Sequence, residues 1–268
     1  MAASPGLSPG LPLWGHHRVA GDAPSTLQIG SLWITAQLRN DEIWLSHGSE
    51  ARGEPAPSDP SEIREWTRWA TSGSLEGLDI LPVPPDRPLV LQPEKSFHLL
   101  PGASARIYVR VPVWVQVRLT GQRGSLLLEI PSMILSDTWW GTFTEGEICY
   151  WLHIMARRSA PPEIFLPDRI LCPVELLNQA REELPVEKIL LRCQHLSVFK
   201  GEGCLWSDEV RIRYRGEEVG SVLEMSGTAP PEAAGARLLT PPRTPPAKGF
   251  TARTFARIRG FPGLGMAS

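Results

Sequence analysis

The chain has 268 residues, 42% of them apolar, with 27 basic and 29 acidic side chains and a formal net charge of -2. That length and apolar share can build a core without staples, and the four cysteines, Cys149, Cys172, Cys193 and Cys204, are spread with no Cys-x-x-Cys pair. The first twenty residues lack the basic start and apolar run of a secretory signal, and no stretch approaches the roughly twenty apolar residues of a membrane-spanning helix, so a reduced, cytoplasmic setting is expected.

Charge is unevenly distributed. Residues 233–268 hold Arg237, Arg243, Lys248, Arg253, Arg257 and Arg259 and no Asp or Glu, which leaves 21 basic against 29 acidic residues elsewhere. A basic tail on an acidic body either folds back on it or reaches for an anionic partner.

Residues 1–25, with Pro5, Gly6, Pro9, Gly10 and Pro12, read as a flexible arm that Leu11, Leu13 and Trp14 can anchor in part. Residues 27–38 and 42–46 carry β-type residues on either side of Asn40-Asp41 and read as a hairpin. One short helix is expected at about 59–71: Asp59 caps it, Pro60 suits its first position, Glu62 completes a capping box, and Ile63, Trp66, Trp69 and Ala70 share a face. Short runs of strand character then follow at 88–92, 95–100, 106–119, 125–130, 146–156, 169–177, 186–199, 204–215 and 218–225. Regular turns with little helix predict an all-β body over 26–228, an antiparallel β-sandwich or barrel-like meander, with two layers or halves joined near 80–103 as one arrangement. Strands 146–156 and 186–199 are apolar on both faces and are expected to be central. Residues 229–249 hold three Pro-Pro pairs and read as an extended connector, and 250–268 as a basic C-terminal strand and tail.

The clearest pattern lies at 106–119. Every odd position from Ile107 to Leu119 is aliphatic and every even one is polar, aromatic or Pro, the signature of a strand with one buried face. Pro112 removes a ladder donor, so an edge or a bend is expected there, yet the alternation keeps its phase, which argues against a one-residue bulge.

The even face of this strand carries Arg106, Tyr108, Arg110, Trp114 and Arg118; Arg211, Arg213 and Arg215 alternate with Val210, Ile212 and Tyr214; Arg253, Arg257 and Arg259 alternate with a last apolar row beside Phe255. Nine guanidinium groups on a common sheet would make a cationic platform for carboxylates, phosphates or acidic protein. The plainer alternative is a solvated face whose arginines pair with Glu of neighbouring strands. Like charges directly opposite repel, so these strands are not expected to be immediate neighbours.

A second candidate is the turn that joins Trp139 and Trp140 to Glu145 and Glu147, with Asp137 close in sequence and Gly141 and Gly146 allowing tight backbone. Aromatic rings beside carboxylates can line a pocket; the alternative is an aromatic plug in which one Trp packs in the core and the other covers an edge.

This turn and its flanks, Gly-Glu-Ile-Cys at 146–149, LCPVELLN at 171–178 and VEKILLR at 186–192, resemble an uncharacterised prokaryotic family, the domain of unknown function numbered 432, over residues 88–225. The family's turn carries Tyr-Gly where this chain has Trp140-Gly141, and Tyr150 stands in place of the family's Arg, so no role resting on that Arg carries over. The resemblance implies a β-rich fold and brings no activity, cofactor or catalytic residue. Some family members are encoded near small mechanosensitive channels, which implies a membrane channel as one candidate partner.

Other chemistry has less support. Cys193, His195 and Cys204 are zinc-compatible but lack a fourth ligand and paired spacing. There is no Gly-x-Ser-x-Gly elbow, no phosphate-cradling Gly loop followed by Lys and Ser/Thr, and no Gly-x-Gly-x-x-Gly opening a helix, so no catalytic residue, metal or cofactor is assigned. The expectation is a binding or protein-interaction module whose partner is another protein rather than nucleic acid. The alternatives are a hydrolase or carbohydrate-active enzyme using Asp137, Glu145 or Glu147, and a binder of anionic polymer or lipid through the Arg faces.

Overall fold

All seven aliphatic residues of the alternating row, from Ile107 to Leu119, are buried in one core, and the row passes from one sheet to another without losing phase. The structure, a computed structural model, describes residues 13–19, 23–39, 42–71, 77–120, 125–142, 144–154, 157–161, 164–245, 250–252 and 254–256.

In chain order the strands begin with β1 (Gly15–His17), β2 (Ser25–Ile29), β3 (Leu32–Arg39), β4 (Glu42–Ser49), β5 (Thr67–Ala70), β6 (Leu78–Val83), β7 (Leu89–Pro93) and β8 (Phe97–Leu99). They continue with β9 (Ser104–Pro112), β10 (Trp114–Leu119), β11 (Leu126–Pro131), β12 (Ser136–Gly141), β13 (Gly146–Ile154), β14 (Arg169–Asn178), β15 (Leu184–Val186) and β16 (Lys188–Leu191). The last are β17 (Val198–Lys200), β18 (Leu205–Ser207), β19 (Val210–Tyr214), β20 (Ser221–Met225), β21 (Arg237–Thr240), β22 (Phe250–Ala252) and β23 (Phe255–Ala256).

They form an all-β fold of several sheets. The orders are β2-β3-β4-β5; β1-β6-β10-β11; β12-β13-β7-β16-β23; a β15-β8 pair; and a large sheet β21-β17-β18-β14-β19-β20-β22, with β9 on the free side of β14. Pairing is mainly antiparallel, as expected, with parallel contacts between β13 and β7 and between β14 and both β18 and β19.

Pro112 marks the sheet switch. It closes β9, which pairs with β14, and after Val113 the chain resumes as β10 between β6 and β11. The junction is held by Val113, whose N–H donates to the Asp168 carbonyl at 3.2 Å and whose carbonyl accepts from the Ser132 N–H at 3.0 Å. A bend at a residue without an N–H leaves no ladder donor unpaired, while the even spacing keeps Val111, Val113 and Val115 on the core side.

The helix expected at 59–71 is a correction. The capping box forms, with Ser61 N–H donating to Asp59 at 2.8 Å and Glu62 receiving the Asp59 N–H at 3.3 Å, but helical structure stops after one 3-10 turn, Pro60–Glu62. Thr67–Ala70 is strand β5 instead, paired with Glu42–Leu45 of β4. A capped nucleus of one turn is unstable by itself, and Thr67 and Trp69 fit a strand beside a ready edge.

β13 and β16 are interior strands of their sheet, as expected, although much of β13 is only half-buried. Within the arm, Trp14 is buried and β1 pairs with β6. The Pro-rich stretch lies against the body: β21 pairs with β17, and Arg243 binds Glu129 and, through Nε at 2.8 Å, the Pro84 carbonyl. Among the described residues no helix is long and apolar enough to cross a membrane.

Candidate functional site

Of the Arg-bearing strands, β9 and β19 share one sheet, but the face they build alternates in charge. Register places Arg106 of β9 opposite Glu175 of β14, Glu175 opposite Arg211 of β19, and Arg211 opposite Glu224 of β20. β14 thus separates the two Arg strands, which avoids like charges side by side. Arg211 Nε lies 3.0 Å from Glu175 and 2.7 Å from Glu209; Arg213 pairs with Glu224. Arg106 reaches the buried Glu209 at 2.5 Å and Glu232 at 3.0 Å, and the Tyr108 hydroxyl donates to Glu232. Burial and its bond to Glu232 raise the Tyr108 phenol above its usual value, while the Tyr108 hydroxyl and Arg106 hold the Glu232 carboxyl below its own.

This cluster fastens the 3-10 turn Pro231–Ala233 over a second apolar core of Tyr108, Ile164, Leu171, Phe199, Trp206 and Ala233. The even face of β9 is therefore partly covered, and the arginines of this sheet pair with carboxylates, including Glu175 and Glu224 of neighbouring strands, as the plainer alternative has it. Arg110 is half-buried beside Leu171, and Arg215 is exposed just beyond β19. Trp114 and Arg118 leave this sheet with β10; the Trp114 ring packs 5.4 Å from Tyr150, and Arg118 Nε donates to Gln116 at 2.9 Å. Arg253, Arg257 and Arg259 lie outside the described residues.

The tryptophan turn is a tight hairpin. Gly141 has φ +124, and a Cβ on it would come within 2.3 Å of the Glu145 carbonyl, so only glycine fits there without strain. Trp139 and Trp140 point to opposite faces. Trp140 is buried with Val90, Cys149 and Leu190, and its cross-strand neighbour Glu147 takes both arms of Arg192 at 2.6 and 3.1 Å. Trp139 is 51% exposed; its indole N–H donates to the Thr142 carbonyl at 2.8 Å and its ring lies over Gly146.

Directly across from Trp139 stands Ile148, 53% exposed. The sequence reading missed this residue, although Gly146, Ile148 and Tyr150 fall on the same alternate face. Next along that face, Tyr150 packs against the main core, so Trp139 and Ile148 continue the inner face of the sheet outward past its cover. β12 is the edge strand here, so its outer backbone groups adjoin no other strand among the described residues.

The acids of the turn do not converge. Asp137 shares the Trp139 face and binds Arg87 at 3.3 Å, Glu147 lies on the Trp140 face bound to Arg192, and Glu145 is exposed at the turn. Cys193 and Cys204 belong to different apolar clusters, and His195 Nδ1 meets the Thr244 carbonyl at 2.8 Å.

A family model described as "Protein of unknown function (DUF432)" matches residues 13–259. The chain belongs to that family. The DUF432 match extends the likeness seen at 88–225 to nearly the whole chain, including β1 through β6 and the docked Pro-rich stretch. No curated protein and no solved structure matches the chain.

Proposed function

We propose that this DUF432 protein is an interaction module, not an enzyme, that docks a partner protein on the ledge formed by Trp139 and Ile148 at the edge of β12. The observation that carries the reading is the exposure of two large apolar side chains as a direct cross-strand pair, on a strand that closes no further ladder among the described residues. Aromatic anchors of this kind dominate protein–protein binding energy, and an edge strand adds main-chain pairing. The arginines support this choice indirectly, because Arg106, Arg211 and Arg213 are already neutralised by carboxylates. The reading places the protein in the cytoplasm, as an accessory to a membrane protein such as a channel.

The test is cross-linked capture from the native cells, comparing the intact protein with Trp139→Ser/Ile148→Ser and with Arg215→Glu. A partner lost with the first variant and kept with the second supports the ledge. A partner kept with the first variant overturns it.

A further inference from the structure

A cavity of about 550 Å³ opens between the β2–β5 sheet and the segments 130–134 and 168–169. Its volume falls in the range of ordinary ligand sites. Neither Trp139 nor Ile148 lines it, and no residue of β9 or β19 does, so the cavity and the Trp139 ledge are independent sites.

One wall is an unfinished strand edge. β5 stops at Thr67, opposite Leu45, while β4 continues to Ser49 with only β3 beside it. The Ser49 N–H and carbonyl point away from β3, since they bond to Glu54 at 2.9 and 3.1 Å, whereas the next residue, Glu50, turns its N–H back to Ser31 at 2.8 Å. The period of two along a strand then turns the His47 N–H and carbonyl outward as well, toward the cavity that His47 lines. This position wants an extended amide chain. Ser46, only 8% exposed, lines the same cavity and adds a polar side chain to this wall.

The lining also selects charge. Arg52 and Arg169 face three carboxylates, Glu54, Glu65 and Asp168. Arg169 is taken by Asp168, and Glu54 is engaged with the Ser49 N–H, which leaves Arg52 and Glu65 at the exposed rim with no ion-pair partner among the described residues. Partial desolvation lowers the His47 imidazole below its usual 6.5, which disfavours a positive charge there. The net negative lining disfavours phosphates and acidic ligands. His47 brings the single aromatic ring among the described lining residues, and Leu32, Leu45 and Ile130 supply an apolar floor.

We propose that this cavity binds a short extended basic peptide segment, which pairs its backbone with the His47 N–H and carbonyl and sets a Lys or Arg side chain against Glu65. β-strand addition supplies the main-chain pairing, and a lining of three carboxylates against two guanidinium groups supplies the preference for cations.

The experiment uses the full chain, a labelled Ac-Val-Lys-Val-Lys-Val-NH2 peptide in fluorescence anisotropy, and amide exchange at His47 read by NMR. Saturable binding below about 1 mM is expected, with His47 protected, at least a tenfold loss for Ac-Val-Glu-Val-Glu-Val-NH2, and about a tenfold loss in Glu65→Lys, a change at an exposed side chain. Equal binding of the acidic peptide, indifference to Glu65→Lys, an unprotected His47 amide, or no saturation at 1 mM each overturns the proposal. Cadaverine binding as tightly as the peptide also overturns it, since main-chain pairing would then contribute nothing.

Discussion

Glu209 accepts a hydrogen bond from Nη1 of Arg106 at 2.5 Å across 103 residues of chain, with the Glu209 side chain only 6% exposed. The same carboxylate holds Arg211 at 2.7 Å, so one buried acid ties the outer strand β9 to β19 across β14. Removing it leaves two guanidinium groups short of a partner, though Arg106 keeps Glu232 and Arg211 keeps Glu175. Glu209→Ala is expected to lower stability by about 1–3 kcal/mol in chemical denaturation, less than a fully buried pair costs because both arginines reach solvent. The effect of Glu232→Gln in the Glu209→Ala background should exceed its effect in the native protein; strict additivity would count against a shared network.

The alternating row carries a larger share of stability. Ile107 is 1% exposed in the main core, so Ile107→Ala is expected to cost about 2–5 kcal/mol. Arg215→Ala, at an exposed position beyond β19, should stay within about 0.5 kcal/mol. Urea midpoints of the two variants decide this, and equal shifts would refute the assignment of faces.

Period-two patterning made the core face of 106–119 legible because burial is a local property of alternate residues. The partners of Arg106 were not legible, because Glu209 and Glu232 come from elements distant in sequence and reach it only through the order of strands. The expected helix failed for a related reason: its cap was read correctly, but the β4 edge that captures Thr67–Ala70 comes from an earlier part of the chain. The Trp turn was half legible. Consecutive Trp139 and Trp140 had to diverge, but which of them is buried depends on Leu190, a residue of β16 two strands away from β13 in the sheet.

That divergence gives a contrast. Trp140→Ala opens a cavity beside Val90 and Cys149 and is expected to cost about 3–5 kcal/mol. Trp139→Ala removes a half-exposed ring and should cost about 1 kcal/mol while abolishing partner capture. Thermal unfolding of both variants checks the order, which reverses if Trp139 is the core residue.

The thiols should be inert in the folded protein. Burial pushes Cys149 and Cys172 up to about 12 and Cys204 to about 11, and raises Cys193 well above its usual value. The thiolate is the reactive form, so labelling by a disulfide reagent at pH 8 should be slow until denaturant is added, when all four cysteines react. Rapid labelling of the native protein would contradict this burial.

Stability should also depend on Asp208 in a direction opposite to most carboxylates. Asp208 is 1% exposed, and burial pushes its carboxyl from 3.8 up to about 6, although the Ser197 and Gly227 N–H groups donate to it at 2.9 and 3.2 Å. The folded state therefore holds this proton more tightly than the unfolded chain. Between about pH 4 and 6 the folded state binds the extra proton, so the contribution is complete below pH 4 and lost as pH rises through 6. The gap corresponds to on the order of 3 kcal/mol. Asp208→Asn removes the titration, so the stability of the native protein relative to this variant should grow as pH falls from 7 to 4, measured by denaturant unfolding at each pH. A difference that stays flat, or shrinks toward pH 4, would mean that Asp208 is ionised without cost in the fold.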